Sequence, residues 1–132
     1  MIGVDTSVVV RYLVGTPAAQ GRRARNLIDD DAVEIGVSVV TLAECAHVLR
    51  TQYGVEQRDI LDSLIDFVQR ANVSVVDARL DLLVGTLVRA RSMPGRPIPD
   101  AMIVAALAAA NAVPIATFDQ DQRRYGVTVR EP

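Results

Sequence analysis

Four carboxylates stand apart from the other acids of this chain by what surrounds them. Asp5 follows the apolar residues Ile2 and Val4 and precedes Thr6 and Ser7, and Glu44 sits within Thr41-Leu-Ala-Glu-Cys-Ala46. Asp100 lies between the proline-rich stretch Met93-Pro-Gly-Arg-Pro-Ile-Pro99 and an almost wholly apolar run to Ala110, while Asp119 closes Ile115-Ala-Thr-Phe-Asp119. Taken singly, each has an ordinary structural reading. Asp5 reads first as an Asx turn or helix N-cap, Glu44 as a carboxylate stabilised by a helix dipole, and Asp100 as an N-cap. Gathered at one edge of a sheet, however, four carboxylates repel one another unless cations join them. Hard divalent ions such as Mg²⁺ or Mn²⁺ prefer oxygen donors, and two of them about 3.5–4 Å apart suit in-line displacement at a phosphodiester.

The remaining donors point the same way. Cys45 is the only cysteine and His47 the only histidine, so no thiolate or imidazole cage can form. Cys45 reads as a small helix packing residue and His47 as a surface or partly packed one. Asp121 competes with Asp119 for the last position, and the hydroxyls of Thr6 and Thr117 adjoin the acids as supporting groups.

Such an edge requires strands that end where these acids stand. Short β-branched runs occur at 2–4, 34–39, 73–76, 113–117 and 127–129, alternating with helical patterns, which is the signature of a parallel, helix-covered sheet. Helices are expected over 7–14, capped by Thr6 or Ser7, and over 17–28. Leu42, Cys45, Ala46 and Leu49 form one face of a third helix that Gly54 ends. Further amphipathic patterns cover 60–68 and 80–88. Three prolines in seven residues predict an irregular 93–99, after which Asp100 opens a helix to Ala110. The small side chains of Ala105, Ala106, Ala108, Ala109 and Ala110 suit a helix lying close on the sheet. Asp5 and Asp119 then occupy equivalent strand-to-turn positions, at the edge where parallel sheets bind ligands.

Composition sets the limits. At 132 residues, 50% hydrophobic but only 4% aromatic, the chain is expected to form a single domain over 1–132 with a core of Val, Leu, Ile and Ala. Without a basic leader or a long apolar run, it is expected to be cytoplasmic. All 14 basic residues are arginine. The missing lysine removes P-loop, Schiff-base and receiver-type chemistry, and counts against a receiver- or phosphatase-like α/β domain with Asp5 as phospho-acceptor. Sixteen acids give a net charge of −2, but with four of them on metal, 14 arginines face 12 acids and a polyanionic partner is admissible. Arg22, Arg23 and Arg25 read as a solvated face. Arg123 and Arg124 adjoin the acidic site and are the candidates to contact phosphate of such a partner. Tyr12 and Tyr125 are the candidates for stacking on bases.

Asp5-Thr-Ser, Thr41-Leu-Ala-Glu44, Pro99-Asp-Ala-Met-Ile-Val-Ala-Ala106 and Ala116-Thr-Phe-Asp119 resemble, in order and over nearly the whole chain, the motifs of PIN domains. Length and element order are most similar to VapC-type ribonuclease toxins of type II toxin-antitoxin pairs. The resemblance implies a three-layer α/β/α fold with a central, mainly parallel sheet of four to five strands. It implies Mg²⁺- or Mn²⁺-dependent endoribonuclease activity, restraint by a cognate VapB-type antitoxin, and a homodimer or larger assembly. The family's acidic positions fall on Asp5, Glu44, Asp100 and Asp119, and its hydroxyl position on Thr117. Many members follow the last acid with Asp-Phe, whereas this chain reads Asp119-Gln-Asp121-Gln-Arg-Arg-Tyr125, which keeps Asp121 in competition. An inactive PIN-like module that only docks a partner is the alternative that four intact acids disfavour.

Overall fold

The computed structural model describes residues 1–132. Five strands, β1 (Ile2–Gly3), β2 (Ile35–Val37), β3 (Val73–Val75), β4 (Ile115–Ala116) and β5 (Val129–Arg130), alternate with six α-helices. The helices are α1 (Thr6–Val14), α2 (Ala18–Ile28), α3 (Val39–Tyr53), α4 (Gln57–Val68), α5 (Leu80–Ala90) and α6 (Pro97–Ala109); a 3₁₀ helix, Gln120–Tyr125, separates β4 from β5. Every strand pair is parallel, as the α/β alternation predicts, but the strands form two ladders, β1-β2-β3 and β4-β5, rather than one sheet. β1, β4 and β5 are only two residues each.

Register decides which side chains reach the core. Ile2 lies opposite Ile35, which lies opposite Val73, and Val37 lies opposite Val75. In a pleated ladder these alternate residues share one face, where Ile35 and Val37 are buried within a 27-residue apolar cluster. The opposite face carries Gly3, Gly36 and Ser74 and is roofed by the exposed Met1 and Val76; a Cβ on Gly36 would meet Met1 Sδ at 2.7 Å. The core is aliphatic, with Phe67 and Tyr125 its only aromatic members.

Helix boundaries follow local chemistry, with three departures from expectation. The first helix starts at Thr6 and is capped by Asp5 rather than by Thr6 or Ser7. The helix after the proline-rich stretch begins at Pro97, so Asp100 is in its first turn and is not its N-cap. Proline suits a first turn because the amide it lacks would have no intrahelical partner there. The alanine-rich face of α6 packs chiefly on α5 and α3 rather than on the sheet, burying Ala101 and Ala105 while Ala110 is exposed. β2 also ends earlier than its β-branched run, because Ser38 accepts from the Thr41 amide and starts α3 at Val39. Asp77, just beyond β3, accepts from the Val39 amide at 2.9 Å and secures the same helix start. No helix is long and apolar enough to cross a membrane.

Candidate metal and nuclease site

The C-terminal ends of β1, β2 and β4 lead directly into the acids. Asp5 is the N-cap of α1, accepting from the Ser7 hydroxyl at 2.7 Å and the Val8 amide at 3.2 Å through one carboxylate oxygen. Glu44 projects from the second turn of α3 and is exposed; with Asp5, Thr6, Ser7 and Arg11 it lines a cleft of about 380 Å³. Asp119 caps the 3₁₀ helix by accepting from the Asp121 amide at 2.9 Å. Its own amide donates to the Thr117 hydroxyl at 2.9 Å, so Thr117 shapes the turn that carries the acid.

Electrostatics divide these acids into two pairs. Hydrogen bonds from the Ser7 hydroxyl and then the Val8 amide hold the Asp5 carboxyl below its ordinary pKa, with a smaller contribution from the Arg11 charge. Burial, then the charge of Asp119, pushes the Asp100 carboxyl above its ordinary value. Two buried groups report which acids lie near each other. The Cys45 thiol is pushed up to about 12 by burial and then by Glu44 and Asp5. The Tyr125 hydroxyl is pushed up to about 12 by burial and then by Asp100 and Asp119, with Asp121 contributing least. The charge of Asp119 thus acts on both Tyr125 and Asp100.

No group of three or more acidic, histidine or cysteine side chains converges closely enough to enclose a cation. Asp5 is turned toward its own helix by Ser7 and Val8, and the strands bearing Asp5 and Asp119 belong to different ladders. Packing of α3 against α6 nevertheless brings the helix of Glu44 alongside that of Asp100. The donors fit a hard divalent cation and little else: four carboxylates with the hydroxyls of Thr6, Ser7 and Thr117 nearby. Cys45 is fully buried, its thiol 4.0 Å from the Thr6 carbonyl. His47 is exposed and its Nδ1 lies 3.3 Å from an Arg50 nitrogen.

Several residues stand elsewhere than sequence reasoning put them, or were not singled out by it. Tyr125 is buried, its hydroxyl donating to the Pro97 carbonyl at 2.8 Å, and so ties the 3₁₀ helix to the first turn of α6 that carries Asp100. Tyr12 packs its ring against Phe67 and lies beneath Arg70. Neither ring is open for stacking. The open aromatic is Phe118, 90% exposed between Thr117 and Asp119. Arg123 and Arg124 are exposed as expected, although Arg124 also donates to the Ser92 carbonyl. Arg11 went unremarked because it is isolated in sequence; its spacing of four from Ser7 is the signal that places both on one face of α1.

A PIN-domain family model matches residues 2–127, and the chain belongs to the PIN-domain family. PIN domains are generally nucleases, and they typically use divalent metals. No curated protein and no solved structure matches the chain.

Proposed function

We propose that residues 1–132 act as one PIN unit, a Mg²⁺- or Mn²⁺-dependent endoribonuclease in which Asp5, Glu44, Asp100 and Asp119 form the hydrolytic centre. The observation that carries this reading is Asp100, whose carboxyl is pushed above its ordinary value by burial and then by the charge of Asp119, with no arginine within ion-pair distance of either acid. Like charges held this way on a folded edge are what a divalent cation relieves. Asp5, Asp100 and Asp119 would ligate metal, and Glu44 would ligate it or orient the attacking water. A bound divalent ion there supplies Lewis acidity and a more acidic water. The protein's own part is positional: the Thr117 hydroxyl and the Asp121 amide fix Asp119, Tyr125 fixes the turn bearing Asp100, and Ser7 fixes Asp5. Arg123 and Arg124 would hold RNA phosphate beyond Asp119.

The chain's length and motif order support a VapC-type toxin of a type II pair, acting in the cytoplasm as a homodimer or larger assembly. A dense acidic cleft attracts cations of any origin, so a VapB-type antitoxin that inserts a basic side chain would neutralise it. The test is cleavage of total RNA with mapped ends. Cutting is expected with Mg²⁺ or Mn²⁺ and none after exhaustive chelation; undiminished cutting after chelation overturns the metal assignment. Absence of inhibition by the genomically adjacent partner counts against the antitoxin.

A further inference from the structure

The acidic centre creates a problem that the rest of the surface must solve, because it repels the polyanion it is proposed to cleave. Relief is expected from cations that border the centre and are not already neutralised. Only three arginines form ion pairs, Arg70, Arg79 and Arg91, and none of these lines the acidic cleft. Arg11 does line it, together with Asp5 and Glu44. Arg11 also lines a second cleft of about 460 Å³ between α1 and α2, whose walls include Ser7, Gln20 and Arg23. Ser7 and Arg11 line both clefts, so the two adjoin at these residues.

Arg11 is held in place within that junction. Its Nε donates to the Gln20 side-chain oxygen and its Nη1 to the Ser7 carbonyl at 3.3 Å. Guanidinium carries five donors in a planar fork, so most of them stay available after those two bonds. Arg23 is exposed and has no carboxylate partner. The pair thus presents one preorganised and one adaptable cation along a cleft that adjoins the one lined by Asp5 and Glu44, which is the arrangement phosphate contacts need.

We infer that the α1–α2 cleft, through Arg11 and Arg23, holds backbone phosphate of the RNA strand on the Asp5 side of the cleavage site, as positioning rather than catalytic residues. The inference rests on the endoribonuclease reading and names the path its substrate takes. It makes Arg23, which reads from sequence as part of a solvated face, a substrate contact.

The test measures binding apart from cleavage. In an Asp100→Asn background, anisotropy of a short labelled single-stranded RNA of mixed sequence is followed across a salt series. Arg11→Gln with Arg23→Gln is expected to weaken binding at least about tenfold and to make the plot of log affinity against log salt shallower by about 1.4, since each phosphate contact on a single strand contributes about 0.7. Arg58→Gln, on exposed α4 surface outside both clefts, is expected to change neither. In the active protein the double variant should raise KM with kcat nearly unchanged. Arg23→Gln alone, which removes no internal contact, carries the test if the double variant does not fold, with half the slope change expected. Unchanged affinity and slope overturn the inference while leaving RNA cleavage by the parent protein intact. So does loss of a protein partner with RNA binding preserved. A parent protein that neither binds nor cleaves RNA removes the endoribonuclease reading, and the inference with it.

Discussion

The two acidic pairs differ in how their charge is met. Asp5 receives a hydroxyl and a helix amide within its own turn and feels Arg11, so its ionised form is favoured by the protein alone. Asp100 is half-buried in the first turn of α6 with Asp119 as its neighbour, and its ionised form is disfavoured. Asp5 begins a helix and must serve the orphan amides there, whereas Pro97 and Pro99 leave α6 fewer amides to cap and leave Asp100 free of that duty. The contrast teaches that cation demand is concentrated on the Asp100–Asp119 side, with the Asp5 side already ordered to receive what is bound there.

The largest effect should come from that demanding side. Asp100→Asn is expected to lower RNA hydrolysis by about two orders of magnitude or more, corresponding to roughly 3 kcal/mol of lost charge stabilisation; initial rates in Mn²⁺ check this. On the ordered side, Ser7→Ala leaves every acid in place but releases Asp5. A fall of about 10–100-fold is expected, as for other residues that orient a metal ligand, with folding intact by circular dichroism. Equal activity of Ser7→Ala and parent would show that the order seen at Asp5 is only helix capping.

Phe118 tests the same edge from the substrate's side. Stacking of one base on an aromatic ring is worth about 1–3 kcal/mol, so Phe118→Ala should raise KM by about tenfold while the melting temperature stays put, because a ring so exposed packs against nothing.

The smallest effect concerns the tie behind Asp100. Tyr125→Phe removes a buried hydrogen bond to Pro97 and is expected to cost about 1 kcal/mol at neutral pH. Because the folded state raises this hydroxyl from 10.0 to about 12, the stability it contributes is complete below pH 10 and is lost as pH rises through about 12. The gap between Tyr125→Phe and parent should therefore close across that window in alkaline denaturation; a gap independent of pH would contradict the shift.

What could be read in advance was the part governed by local pattern. Asp5 and Asp119 follow short β-branched runs, and Gly54 ends a helix as its chemistry requires. Less legible was whatever depends on packing between distant segments. Proline count at 93–99 argued for an irregular loop, but only placement against α5 shows that two of those prolines sit in a first turn. Tyr125 looked available because it lies in a polar, arginine-rich stretch; its burial comes from Pro97, 28 residues away. The division of the strands into two ladders is invisible to any periodicity, since both ladders show the same alternation with helices.

The central claim is that Asp100 forms with Asp119 a cluster whose mutual repulsion a divalent cation relieves. Its most direct test is thermal melting of parent and Asp100→Asn near neutral pH, each with chelator and with Mn²⁺. A carboxylate whose folded pKa is raised lowers stability once pH passes above its unfolded value, so removing its charge should raise the melting temperature of the metal-free protein. Mn²⁺ should stabilise the parent by about 2.7 kcal/mol at 100 times its Kd, and Asp100→Asn should blunt that response. If Asp100→Asn changes neither the metal-free stability nor the Mn²⁺ response, Asp100 lies outside the cluster and the site is misplaced.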